Sequence, residues 1–185
     1  MSAPHLKKQE IGAALEDFTL RHLQSGEQRS LQQSLDGKGG GVVVFWSGVC
    51  SHCLRYDGYL NGFAARHPEL TLVAVASRYG ETEEQLRATA ASRKLVFPIL
   101  LDSDGAVARG WFTQQTPRVF LMDSRRTLLY RGAIDNFKYP EDPEYLAYLE
   151  PAISSFLAGQ PIERAETPSF GCAIQSVFYT LPKPL

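Results

Sequence analysis

Two runs of consecutive apolar residues dominate the chain, Val42 to Trp46 (VVVFW) and Leu70 to Ala76 (LTLVAVA). Both are rich in β-branched or aromatic side chains and neither alternates with polar ones, the pattern of strands covered on both faces, as in a parallel sheet. Between them Tyr56, Leu60, Phe63 and Ala64 keep the spacing of a helix that ends near His67-Pro68. Strand, helix and strand at this separation predict a right-handed βαβ unit. A second helix is expected from Glu81 to about Ser92, with acidic residues in its first turn, then a third strand from Phe97 to Leu101. Val119 to Met122 and Thr127 to Arg131, on either side of the polar turn Asp123 to Arg126, predict a hairpin. Asp142-Pro143 reads as N-cap and first-turn proline of a last helix. Its apolar face would be Tyr145, Leu146, Leu149, Ile153, Phe156 and Leu157, and Gly159 would close it. Ahead of the first core strand, Phe18 to Leu23 predicts a strand with a turn at Ser25-Gly26, and Lys38 to Gly41 a flexible approach.

This order gives an α/β class: a central mixed β-sheet flanked by helices, with an N-terminal extension. One domain is expected over residues 1–160, followed by an apolar C-terminal segment, 161–185. From Thr167 to Pro182 no residue is charged, while Phe170, Ile174, Val177, Phe178, Tyr179 and Leu181 are apolar. Such a segment is expected to pack on the domain or on a second subunit, which leaves a homodimer open. The 185 residues suit one domain of ordinary size.

Charge narrows the partners. Nineteen Lys and Arg against twenty Asp and Glu leave a formal net charge of −1, which removes the electrostatic case for a nucleic-acid or anionic-membrane binder. No segment approaches the ~18 apolar residues of a membrane span. The first fifteen residues lack the apolar stretch of about 7 to 15 that a signal peptide needs. The expectation is a cytoplasmic chain, or a periplasmic one if a leader has been trimmed.

The chain has three cysteines, too few for a secreted disulfide scaffold. Two of them lie in Cys50-Ser51-His52-Cys53, four residues after Trp46, where the first core strand should give way to a helix. Chemistry gathers at that end of strands in α/β sheets. A cysteine in the first turn meets unpaired N–H groups and the positive end of the helix dipole, which favour thiolate and make Cys50 the candidate nucleophile. Cys53, one turn later, begins the stripe 53, 56, 60, 63 that faces the core, so it should be the more buried sulfur and resolve a mixed disulfide. His52 can place positive charge near the thiolate, and a dithiol stabilised in this way makes its disulfide more oxidising.

Other chemistries fit less well. Zinc would need a second ligand pair, whereas Cys172 stands alone in sequence and His5, His22 and His67 are isolated. A c-type haem site would need His where Leu54 stands. Asp102-Ser103-Asp104-Gly105 reads as a plain turn, because the longer calcium loop with its terminal Glu is missing. No organic cofactor and no metal is required. Cys172 stays open between a buried thiol in an apolar tail and a third redox thiol that pairs with Cys50 or with another subunit.

The segment from Phe45 to Cys53 (FWSGVCSHC) resembles the active-site segment of the thioredoxin superfamily, and Thr116-Pro117 resembles that family's cis-proline loop. Ile11 to Leu20, Thr116 to Asp123, Tyr130 to Asp135 and Phe170 to Ile174 are similar to the redoxin and AhpC/TSA subgroup that carries CxxC, over roughly residues 10–175. The resemblance implies a thioredoxin-like fold and a thiol-disulfide oxidoreductase, with Cys50 as nucleophile and Cys53 as resolving thiol. Thr116 and Pro117 would offer backbone groups to an extended substrate strand, and Trp46 would pack under the motif. Its partners would be a disulfide-bearing protein or small thiol and a reducing or oxidising redox protein. Two departures matter. Val44 stands where thioredoxin keeps a buried acid, so His52, a nearby Glu or water must accept the second proton. Val43 stands where a peroxiredoxin needs Pro, and Pro117 where it needs Arg, which sets a thiol peroxidase built on Cys50 below the oxidoreductase reading. A redox-sensing interaction module, binding through the apolar tail, is the other alternative.

Overall fold

The computed structural model describes residues 8–174. The tail residues Val177, Phe178, Tyr179 and Leu181, on which part of the packing expectation rested, lie outside the described residues.

Seven strands form one mixed sheet: β1 (Thr19–His22), β2 (Gln28–Ser30), β3 (Gly40–Trp46), β4 (Leu70–Ala76), β5 (Ile99–Leu101), β7 (Arg118–Asp123) and β8 (Leu128–Gly132). Their order is β2-β1-β5-β4-β3-β7-β8. The two long apolar runs are the centre of it: β3 and β4 pair in parallel from Gly40↔Leu70 to Trp46↔Ala76, and β5 extends the parallel set. β7 returns antiparallel on the other side of β3, and β8 follows as the expected hairpin. Two further short strands, β6 (Gln115–Thr116) and β9 (Cys172–Ala173), pair with each other outside this sheet.

Both faces of β3 are buried, which is why its sequence does not alternate. Val42, Val44 and Trp46 point into one core layer with Leu72, Ala74, Tyr56 and Leu60, while Val43 and Phe45 point into the other with Val73, Phe120 and Trp111. The second layer is closed by α1 (Leu31–Leu35) and α6 (Ala106–Gly110), neither of which the periodicity predicted. α1 does carry a sequence signal: Ser30 and Gln33 form a reciprocal capping box.

The connection between β3 and β4 is not one helix but three short ones, α2 (Ser51–Leu54), α3 (Asp57–Asn61) and α4 (Phe63–Arg66). Gly58 and Gly62 weaken the helix interior there, and the expected apolar Ala64 is exposed. The inward stripe survives the breaks: Cys53, Tyr56, Leu60 and Phe63 are all buried.

α5 (Glu83–Ser92) starts two residues later than expected, because Thr82 and Gln85 form its capping box. β5 starts at Ile99, after Pro98, which has no N–H to give a ladder.

The last helix is the larger correction. Asp142-Pro143 does not open it; α7 runs Leu149–Leu157, and Pro151 is its first-turn proline. Residues 142–148 are held instead by the preceding loop. Asn136 Oδ1 accepts from Leu146 N at 3.1 Å and its amide donates to Glu144 O at 2.7 Å, while Tyr148 N and Leu149 N both donate to Ile134 O. Leu146 and Leu157, placed on the apolar face from sequence, are exposed. Gly159, with a positive φ of 65°, does close the helix.

Beyond α7 the chain runs back along β8. Thr167 is buried, its Oγ1 accepts from Ala133 N at 3.1 Å and lies 2.6 Å from Tyr130 Oη, and Glu166 pairs with the buried Arg131 at 3.1 Å. Among the described residues, no helix is long and apolar enough to cross a membrane.

Candidate active site

β3 ends at Trp46, and the chain turns through Ser47, Gly48 and Val49 to place Cys50 as the N-cap residue of α2. Cys53 N and Leu54 N donate to Cys50 O at 3.0 and 3.1 Å, which sets Cys53 one turn behind Cys50. Both are free thiols and both are buried. Opposite them the Thr116-Pro117 peptide is cis, and Cys50 Sγ lies 3.3 Å from the Thr116 carbonyl oxygen.

The two sulfurs are driven apart electrostatically. Hydrogen bonding from Cys53, the largest cause, lowers the Cys50 pKa to about 3 against the opposing effect of burial; Cys172 and Thr116 add to the lowering. Burial, and then the hydrogen bond and charge of Cys50, push the Cys53 thiol strongly up. The backbone N–H of Cys53, in the first turn of α2, also contributes to the lowering. α2 has only four residues, and the His52 imidazole turns to another partner.

That partner is Cys172. Its Sγ is 3.6 Å from His52 Nδ1, and Cys50 Sγ, His52 Nδ1 and Cys172 Sγ all lie within 4.8 Å of one another. In sequence Cys172 stood alone; β9 brings it here by pairing Thr116↔Cys172 and Gln115↔Ala173. Two thiols and an imidazole are three donors of the kind that suit a soft metal ion such as zinc or copper(I), a grouping that leaves out Cys53 and still lacks the fourth protein ligand of a structural zinc site among the described residues. Burial and the neighbouring Cys50 raise the Cys172 pKa, which keeps it a thiol.

Around this cluster lie residues that the sequence reading did not single out. Glu81 turns back to the motif: its Oε1 accepts from Val49 N at 3.1 Å, burial raises its pKa, and its Oε2 is buried with no hydrogen-bond partner among the described residues. The Thr82-x-x-Gln85 capping box was the available signal, since it moves the helix start past Glu81. Arg93 braces the turn before Cys50, donating to Gly48 O at 2.8 Å and to both oxygens of Asp57 at 2.5 and 2.6 Å. Its guanidinium also lies 5.4 Å from the Trp46 ring. Trp46 is fully buried in the same core layer as both motif cysteines. On the far side, Tyr56 donates to Asp135 at 2.6 Å, and the His52 ring rests on Phe137 at 4.8 Å. Val49, Phe137 and Phe170 stay exposed as an apolar rim.

A mixed sheet of this order, with a cysteine pair where β3 meets its helix and a cis-proline facing it, defines the thioredoxin-like class, and solved thioredoxin domains share the fold. Within that class the chain belongs to the AhpC/TSA family, whose model matches residues 11–131. It is similar to the thioredoxin-like protein YneN of Bacillus subtilis (strain 168), 33% identical over 117 residues, which covers 62% of this chain and 66% of that one. It is also similar to the thiol-disulfide oxidoreductase ResA of Geobacillus thermodenitrificans, 28% identical over 114 residues, 61% of this chain and 63% of the other. The chain therefore spans just under two thirds of the length of these curated relatives. A hypothetical protein of Sinorhizobium meliloti 1021 has a similar crystal structure, with a TM-score of 0.80 and 27% identity over 92% of this chain and 97% of that one.

Proposed function

We propose that this protein is a thiol-disulfide oxidoreductase in which Cys50 is the exchanging sulfur and Cys53 the resolving one. The observation that carries the reading is geometric: two buried free thiols stand one helical turn apart at the end of β3, and Cys50 Sγ lies 3.3 Å from the Thr116 carbonyl oxygen. The downward shift at Cys50 and the upward shift at Cys53 agree with it. The relatives named thiol-disulfide oxidoreductase support the same reaction class.

The Cys50 thiolate attacks one sulfur of a substrate disulfide. A Cys50–substrate bond forms, the substrate S–S bond breaks, and the electron pair leaves on the departing sulfur, which takes a proton. Cys53 then loses its proton and attacks Cys50 Sγ. The Cys50–Cys53 disulfide forms, the second substrate thiol is released, and two electrons have passed to the substrate. Run backwards, the same steps oxidise a dithiol. The Glu81 carboxylate, half-buried and turned onto the Val49 N–H beside the motif, is the acceptor we assign to the Cys53 proton in place of the acid that Val44 replaces. The cis-Pro117 peptide and the Thr116 backbone form the edge on which an extended chain lies beside the sulfur. The substrate class is a disulfide-bearing protein segment or small disulfide, and the exposed Val49, Phe137 and Phe170 favour an apolar neighbour to its cysteine.

The test is equilibration of the protein with glutathione redox buffers followed by turnover of a protein disulfide such as insulin's. Reversible linkage of Cys50 and Cys53 with catalysed reduction is expected. Failure of the two sulfurs to interconvert at any accessible potential overturns the reading.

A further inference from the structure

The substrate edge beside Cys50 is already taken by the chain itself. Thr116 pairs with Cys172 and Gln115 with Ala173 in antiparallel register, and Ile174 N continues the run by donating to Gln114 O at 2.8 Å. This is how an extended peptide is read by β-addition, backbone to backbone, with alternate side chains directed into the site. The side chain directed here is a thiol.

The seat is built for this segment. A Cβ at position 171 would stand 1.9 Å from the Thr116 carbonyl oxygen and 2.6 Å from its carbon, so only glycine lets the strand press against the cis-proline peptide. One residue past the pair, Ile174 is buried in the second core layer and anchors the far end. Arg78 donates to Ala173 O at 3.2 Å, and the Ser169 hydroxyl donates to Gln115 Oε1 at 3.1 Å. Anchors thus flank Cys172 on both sides and deliver its sulfur into the cluster with Cys50 and His52. With the strand in place Cys50 is only 1% exposed, although an outside disulfide has to reach it.

We propose that residues 171–174 are a tethered substrate strand and that Cys172 exchanges with Cys50 to form a second internal disulfide. The proposal rests on the reading of Cys50 as the exchanging sulfur. In the oxidised protein the deprotonated Cys172 sulfur attacks Cys50 Sγ. The Cys50–Cys172 bond forms, the Cys50–Cys53 bond breaks, and its electron pair leaves on Cys53, which takes the proton that Cys172 gave up. No external oxidant or reductant enters, and attack by Cys53 reverses the step. A substrate gains Cys50 by displacing the strand from β6, so the ligand this edge selects is an extended segment with glycine before a cysteine and an apolar residue two positions after it.

The test begins with Cys53→Ser, oxidised with glutathione disulfide and digested for mass mapping. The expected product is a Cys50–Cys172 cross-link carrying no glutathione, with the thiol titre falling by two. A stable glutathione adduct on Cys50 beside a free Cys172 overturns the proposal. Adding Gly171→Val to Cys53→Ser unseats the strand and is expected to convert the cross-link into that adduct; a cross-link of unchanged yield overturns the docking argument. Should Cys53→Ser fold poorly, the wild-type protein held at its redox midpoint and mapped directly must show Cys50–Cys172 beside Cys50–Cys53, and its absence overturns the proposal. Failure of the underlying reading is distinguishable, because Cys50 and Cys53 would then not interconvert in the wild-type protein either.

Discussion

Cys50 caps the helix turn that ends in Cys53, and each sulfur moves the other's proton in the opposite direction: Cys53 holds the Cys50 thiolate, and Cys50 helps burial hold the Cys53 thiol. Absorbance at 240 nm, or alkylation rate against pH, is expected to show Cys50 titrating near about 3 with no step in the ordinary thiol range. Cys53→Ser replaces the principal donor with a differently placed one and should move that titration upward. The folded-state pKa lies below the unfolded one, so the stabilisation is complete above the ordinary thiol range and is lost as pH falls through about 3. Melting of the reduced protein should show that loss on acidification, while the Cys50–Cys53 oxidised form, which lacks the thiolate, should not.

A stabilised thiolate makes the disulfide easier to reduce. The Cys50–Cys53 couple is therefore expected above thioredoxin's value of about −270 mV. Equilibration with glutathione buffers measures it, and a couple at or below thioredoxin's would mean that the Cys50 anion is not specially held in the reduced state.

Glu81→Gln keeps an oxygen for the Val49 N–H but removes the base. Mixed disulfides trapped on Cys50 should then resolve about 100-fold more slowly, within the range for a lost general base, while the first attack by Cys50 stays near the wild-type rate. Stopped-flow release of a chromogenic thiol separates the two steps, and equal slowing of both would assign Glu81 to holding the loop rather than taking the proton.

Arg93 ties Gly48 O to the Asp57 carboxylate in a poorly exposed setting. Arg93→Met strands that carboxylate and should cost about 3 kcal/mol in denaturant unfolding, the scale for breaking a buried pair on one side. The double variant with Asp57→Leu should recover part of the loss.

Hydroperoxide should be a poor substrate. The reduced protein is expected to consume it far more slowly than it exchanges with disulfides, since Val43 lies in the core of β3 where the peroxidase pattern needs proline, and Pro117 stands where that pattern needs Arg. A competition assay with both oxidants decides it, and peroxide winning at equal concentration would favour the peroxidase reading.

Much of the fold was legible because strand burial leaves a direct mark on sequence. Val42 to Trp46 and Leu70 to Ala76 lack alternation since helices cover both faces of their sheet, and the 53, 56, 60, 63 stripe kept facing inward even where the helix broke. The N-terminus of α7 was not legible in the same way. Asp142-Pro143 has the local chemistry of a helix start, but Ile134 and Asn136 take the backbone groups of residues 146–149, a competition set by distant partners.

The site divides along the same line. CxxC after a buried strand is a local pattern that put Cys50 and Cys53 at the strand-to-helix junction, while the cis-proline was expected from the resemblance of Thr116-Pro117 to the thioredoxin superfamily. Which distant groups gather around the motif was decided only by tertiary contacts: Glu81 turned back onto Val49, and Cys172 carried to Thr116 by a two-residue strand. A lone cysteine in an uncharged tail has no periodicity to report its neighbours. Its partner is fixed by backbone pairing between segments far apart in the chain, where Gly171 alone leaves room for the two backbones to meet.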